Sequence, residues 1–277
     1  MASNIALTTA LVRDTFREAM ARKIIWGFLG CSSALILFFL FIMKIDVVEG
    51  AFATMSIFGR DTRTMDLTRL VREVHGGIAA FLYTAGLFLS VFASAGLIPT
   101  IFEPGRIELL LSKPVARHHI LLGRYVGNVL VIASNMFYLV LAVWIIFGVK
   151  TGVWTHQFLY STAITVFVFA ILLALVLLVA VLSESAVVAT MVTFGVMLVS
   201  PILAQRHLIE RLLSSEWSRD TVRYFYFALP KVFDIGRICR EIVLGHTVTD
   251  WMPVWSSALF GVVMLLAGLY TFSRRNY

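Results

Sequence analysis

Long uncharged apolar runs, broken by short charged islands, set the pattern of this chain. Runs extend from Ile24 to Met43, Gly76 to Phe102, Tyr125 to Val149, Phe158 to Leu182, Ser185 to Gln205 and Trp251 to Ser273. Each reaches the roughly 20 residues that a helix needs to cross a bilayer. Peptide groups in the hydrocarbon layer find no water, so such runs must be helices or barrel strands, and this length excludes strands. The pattern predicts an all-α integral membrane protein with six transmembrane helices, at about 24–43, 76–101, 125–149, 158–182, 186–205 and 251–273, in a single domain over 1–277.

The connecting segments carry their own periodicity. Val12, Phe16, Ala19 and Met20 share a helical face away from Arg13, Asp14, Arg17 and Glu18, which predicts a helix lying in the membrane interface over 1–23. Lys44 to His75 is polar, with a short amphipathic helix expected over Asp66–Val74 through Leu67, Leu70 and Val71. Tight turns around Lys150, Gly152 and Trp154, and at Ser183-Glu184-Ser185, predict antiparallel neighbours. In 206–250, Leu208, Ile209, Leu212 and Leu213 form one apolar face, and Val232, Ile235, Ile238, Cys239 and Ile242 form another. The aromatic cluster Tyr224-Phe225-Tyr226-Phe227 lies between them, as suits a headgroup boundary. Two amphipathic or re-entrant helices on the extracytoplasmic side are the expectation.

Composition narrows the class. The chain is 60% hydrophobic and 14% charged, against roughly 45–50% and about 25% in soluble domains. Its net charge of +7 resides at span ends, which suits anionic lipid headgroups and forms no stripe for nucleic acid. Placing the N-terminus inside puts both termini and the island at 103–124 in the cytoplasm of a multi-pass inner or plasma membrane protein. Basic residues are denser in those short inner segments, although the long outer loops hold more in total. The charged lead-in, with no small-residue cleavage site behind a short apolar core, argues against a cleaved signal peptide. Cys31 lies within a span and Cys239 in a loop, so neither belongs to a disulfide framework or a metal pair.

The island after the second run is the best-patterned polar segment. Glu103-Pro104-Gly105 opens it, with proline and an acid placed as a helix N-terminus favours. Ile107, Leu110 and Leu111 form an apolar stripe, while Arg106, Glu108 and Lys113 stay polar. Pro114 ends that helix near Ser112 and can start the next one, which carries Arg117, His118 and His119 into the third span. Gly123 and Gly127 there permit close helix approach.

These residues resemble the coupling segment of the permease subunits of type-2 ABC exporters, the ABC-2 family. That segment reads as a glutamate, a gap, Gly-Thr, an acid, Leu-Leu-Ser-x-Pro, a small pair, an arginine and a later Gly-Lys. Gly105, Glu108, Leu110, Leu111, Ser112, Pro114, Val115, Arg117 and Gly123 stand in those places. Arg106 replaces the usual threonine, Arg124 replaces the lysine, and Glu103 lies closer to the glycine than is common. The resemblance implies a cytoplasmic coupling helix at 103–118, built from Glu103, Gly105, Arg106, Ile107, Glu108, Leu110, Leu111, Lys113, Pro114 and Arg117. It also implies a soluble ATPase partner holding ATP and Mg²⁺, pairing with a second copy or a similar permease, and export as the direction of transport.

No G-x-x-x-x-G-K-[ST] phosphate loop, H-E-x-x-H or C-x-x-C occurs, so no cofactor or metal is expected on this chain and it is not expected to be an enzyme. The six histidines are scattered, and the adjacent pair His118 and His119 is expected to diverge on a helix. Ser134 and Asn135 within the third span are candidate pathway or helix–helix contacts. Glu184 is a candidate proton or substrate site, with a charged turn as the plainer reading. The ten methionines are spread among apolar spans without an M-x-x-M cluster, as packing residues are. An intramembrane enzyme using Ser134, Asn135 and His156, or a non-catalytic membrane scaffold, are the alternatives from other classes.

Overall fold

The computed structural model describes residues 24–41, 44–48, 52–57, 60–61, 65–95, 117–206 and 216–274, with isolated helical positions at 13, 16 and 17. Eight helices follow in order: α1 (Ile24–Phe41), α2 (Leu67–Ala95), α3 (Arg117–Thr151), α4 (Gln157–Ser183), α5 (Ala186–Ala204), α6 (Glu216–Ala228), α7 (Val232–Leu244) and α8 (Met252–Arg274). Five of them, α2, α3, α4, α5 and α8, are long and apolar enough to cross a membrane, and Trp26–Phe41 within α1 is a shorter apolar helix. The interfacial helix expected over 1–23, apart from positions 13, 16 and 17, lies outside the described residues. So do the coupling segment through residue 116 and the face from Leu208 to Leu213.

Two features depart from the sequence expectation, the joining of the first amphipathic stretch to the second span and the place of the aromatic cluster. Helix α2 begins at Leu67, so the amphipathic stretch expected over 66–74 is the opening of the second span and not a separate element. Gly76-Gly77 would weaken an isolated helix. Here Gly76 makes room for a neighbour, because a Cβ on it would lie 2.9 Å from Leu244 Cδ2 of α7. Helix α3 runs for 35 residues, about 52 Å at ~1.5 Å per residue, and so exceeds the ~30 Å hydrocarbon core. The aromatic cluster at 224–227 forms the last turn of α6 instead of a link between helices. Helical geometry buries Tyr226 while Tyr224, Phe225 and Phe227 face outward.

The polar loop after α1 adds short strands to this helical frame. Strands β1 (Lys44–Val48) and β2 (Phe52–Ile57) form an antiparallel hairpin with Lys44 opposite Ser56 and Val48 opposite Phe52. Strand β2 also pairs with β3 (Arg60–Asp61) and β4 (Met65–Asp66), and β4 leads directly into α2. The run Ile-Asp-Val-Val followed by Phe-Ala-Thr-Met-Ser-Ile has the β-branched and aromatic content that favours extended backbone.

Helix α4 is the axis of the bundle, contacting α2, α3, α5, α7 and α8. Its Phe169, Leu172, Leu173, Val176 and Leu177 are wholly enclosed. Helix α8 lies close against it through two glycines. A Cβ on Gly261 would come within 3.0 Å of Ile171 Cγ1, and one on Gly268 within 2.4 Å of Leu177 Cδ2. In lipid, where apolar burial drives little association, such close backbone approach supplies the packing. At the other end of α4, buried His75 stacks between Phe147 and Phe158 and lies 2.8 Å from Thr155 Oγ1 through Nδ1.

Candidate functional site

The bundle has two end faces. The end of α2, the start of α3, the α4–α5 turn and the end of α8 share one face, as alternating spans require. The expected coupling residues Glu103 to Pro114 belong between α2 and α3 and lie outside the described residues, while Arg117 is the first residue of α3. His118 and His119 do not diverge as expected. Their rings stand 4.3 Å apart at a 38° tilt, in the first turn of α3. No group of three or more metal-binding side chains occurs among the described residues. Glu184 is exposed in the α4–α5 turn, ending α4 in the left-handed conformation (φ 54°) with its N–H 2.9 Å from Ala180 O. Ser185 caps α5 by accepting from Val188 N.

The two polar candidates in α3 part company. Ser134 Oγ donates to Leu130 O of its own helix at 2.8 Å and faces outward. Asn135 is buried and accepts from Ser32 Oγ of α1 at 2.9 Å, joining the two helices. Buried Ser90, Ser94 and Asn128 were not singled out in the sequence, and their side-chain polar atoms have no partner. Their signal was present as Ser90 and Ser94 four apart on α2, and Asn128 and Asn135 seven apart on α3. Interhelical side-chain hydrogen bonds in membranes average about 0.6 kcal/mol and reach about 1.7. Asn135→Leu should therefore lower stability in detergent by about 1 kcal/mol, whereas Ser134→Ala should change it by less than about 0.5 kcal/mol. Equal effects in an equilibrium unfolding titration would contradict this geometry.

On the opposite face, α6 and α7 form a hairpin whose tip enters the bundle. A helix start buried in a bundle exposes N–H groups that need acceptors. Two spans supply hydroxyl acceptors for them, and a third span adds a tie to a carbonyl of the same turn. Tyr83 of α2 donates to Val232 O at 2.5 Å, Ser200 of α5 accepts from Phe233 N at 3.0 Å, and Ser257 of α8 accepts from Lys231 N at 2.9 Å. Ser200 lies four residues inside the end of α5 and Ser257 five inside the start of α8, which places the tip about 6–8 Å below those ends.

Charged groups gather at this tip. Lys231 is buried, its Nζ donates to Ser256 Oγ at 2.7 Å, and it lies 4.6 Å from the Tyr226 ring centre. Burial lowers its pKa from the ordinary value, against the attraction of Asp234 and with the repulsion of Arg206. The Tyr226 hydroxyl donates to Asp234 Oδ2 at 2.9 Å, and Arg206 lies over its ring at 3.8 Å. Burial first, then the Asp234 carboxylate, pushes the Tyr226 pKa up to about 12. Arg240 of α7 meets Glu73 of α2 at 3.8 Å and ties the far end of α7 to the same span. The sequence marked the apolar face of α7 but not Lys231, whose neighbours are far away in the chain.

A family model described as ABC-2 family transporter protein matches residues 10–277. No curated protein matches the chain.

Proposed function

Because the chain belongs to the ABC-2 transporter family and so supplies the membrane-spanning permease part of an ABC transporter, we propose that it is driven by a separate ATPase through the segment 103–118. The observation that carries this reading is the family match running unbroken through a segment whose apolar stripe and flanking charges suit docking to a soluble protein. In this reading ATP and Mg²⁺ belong to the partner, in keeping with a sequence that carries no phosphate loop.

In this reading α1 is the first of six spans, both termini face the cytoplasm, and the α6–α7 hairpin lies on the outer side of an inner or plasma membrane. Two such chains, or one with a similar permease, frame an outward pathway, and transport is export. Ile107, Leu110 and Leu111 give docking area, and Glu103, Arg106, Glu108, Lys113 and Arg117 give register. Gly105 and Pro114 shape the segment's ends.

The test is co-purification of a soluble ATPase, followed by charge reversal in the coupling segment. Glu108→Lys or Arg117→Glu should reduce ATP-coupled transport by at least about tenfold while the permease stays folded. Normal transport by both variants would overturn the assignment.

A further inference from the structure

Helix α7 carries two stripes side by side. Asp234, Arg237 and Glu241 fall at i, i+3 and i+7, and Ile235, Ile238 and Ile242 follow the same spacing one residue later. The charged stripe lines a cavity of about 290 Å³ together with Arg206, Tyr226 and Asp250. The isoleucine stripe lines an apolar groove of about 200 Å³ with Ala163, Ile164 and Phe167 of α4, Trp251, and Val254 of α8. Ile238 borders both, so cavity and groove flank the same helix on adjacent sides.

On α7 the two stripes lie at one height, a residue and about 1.5 Å apart, and the groove reaches deeper on its α4 side. The cavity is walled by Ala204 at the end of α5 and Pro253 at the start of α8, where the apolar spans end. Exposed Trp251, Trp255 and Trp217 mark the same level, where indole rings accumulate. The groove continues along α4 to Phe167, ten residues and about 15 Å inward from Gln157.

The cavity's charges select the headgroup. Arg206 and Arg237 face Asp234, Glu241 and Asp250, and no ion pair joins any of the five among the described residues. Arg206 Nη1 is buried without a hydrogen-bond partner. A purely anionic ligand would meet three carboxylates, and a purely cationic one would leave both guanidiniums uncompensated at a low-dielectric boundary. A dipolar ligand satisfies both sets, with phosphate at the arginines and ammonium at the acids. A primary ammonium fits better than a quaternary one. It donates the hydrogen bonds that carboxylates accept, and Arg206 already covers the Tyr226 face that a quaternary group would use.

We propose that this face of α7 binds one zwitterionic glycerophospholipid of the ethanolamine class, with its headgroup in the cavity and an acyl chain in the groove, running past Ile238 toward Ala163 and Phe167 of α4. The site lies on the face opposite the coupling segment, so it stands or falls separately from the ATPase reading.

Native mass spectrometry of the delipidated full chain, titrated with dioleoyl phosphatidylethanolamine, phosphatidylcholine and phosphatidylglycerol, tests it. Phosphatidylethanolamine should bind about tenfold more tightly than either of the others. Glu241→Gln should erase that preference. Arg237→Gln should weaken all three lipids by about tenfold, and Ala163→Phe should weaken all three without changing their order. Melting temperatures within the wild-type range show that the variants are folded. Equal binding of the three lipids overturns the proposal, as does binding of free phosphoethanolamine as tight as that of the lipid. Cross-linking of Ala163→Cys between two copies in native membranes would place a second copy in the groove and would also overturn it.

Discussion

Gly236→Val should release the α6–α7 hairpin from the bundle. A Cβ on Gly236 would lie 2.7 Å from Tyr83 Cε1 and 3.0 Å from Cδ1. The ring cannot yield, because Tyr83 is buried and its hydroxyl holds Val232 O, four residues earlier on the same helix. Overpacking costs roughly 1–3 kcal/mol and loss of the hydrogen bond about 1 more. The hairpin should therefore open about a hundredfold more often. Cys239 reports the opening, since it is wholly buried on α7 while Cys31 is exposed on α1. In a Cys31→Ser background, maleimide labelling of Cys239 should accelerate about a hundredfold in Gly236→Val. Adding Tyr83→Leu removes the clashing ring and should recover part of the protection. Unchanged labelling, or no recovery in the double variant, would show that Gly236 and Tyr83 do not hold the hairpin.

Lys231 gives the second large effect, and its sign depends on what replaces it. Lys231→Glu puts a carboxylate at a buried tip beside Asp234 and should cost roughly 3 kcal/mol or more. Lys231→Met should be neutral or stabilising at pH 7, because an apolar chain of similar length avoids desolvating an ammonium. Ser256 keeps the Pro253 carbonyl as acceptor when the lysine is gone.

The pH dependence follows from the two displaced groups. The lysine pKa is lower in the folded protein than its ordinary 10.5, so the unfolded state binds more protons and stability rises with pH up to that value. Tyr226 acts oppositely. Its pKa rises from 10.0 to about 12, so its contribution is complete below pH 10 and is lost as pH climbs toward 12. The gap in melting temperature between Lys231→Met and wild type should therefore narrow from pH 7 to pH 10. A constant gap would mean that the ammonium is not strained by burial.

The spans were readable because hydrophobicity and length decide membrane insertion locally, with no reference to partners. Helix ends at Gln157, Ser183 and Ala186 fall within a residue or so of the ends of the apolar runs for that reason. The start of α2 was readable as an amphipathic helix from Asp66, but its continuation through Gly76-Gly77 into the second span was not, because the packing of Leu244 at Gly76 comes from a distant segment. The contact between Ser32 and Asn135 was likewise hidden, since nothing in either run names a partner 103 positions away. The charged stripe on α7 was present at helical spacing, yet its meaning depended on Arg206 and Asp250, which come from different segments.

The sequence by itself determined a helical membrane protein with a well-patterned charged island after the second span, because the bilayer imposes length and polarity on each span separately. Only the tertiary structure decided that the later amphipathic segment folds back as a hairpin with its tip inside the bundle. That outcome requires Ser200 and Ser257, on two different helices, to accept from N–H groups that the helix start leaves without partners, and Tyr83 of a third to hold the Val232 carbonyl.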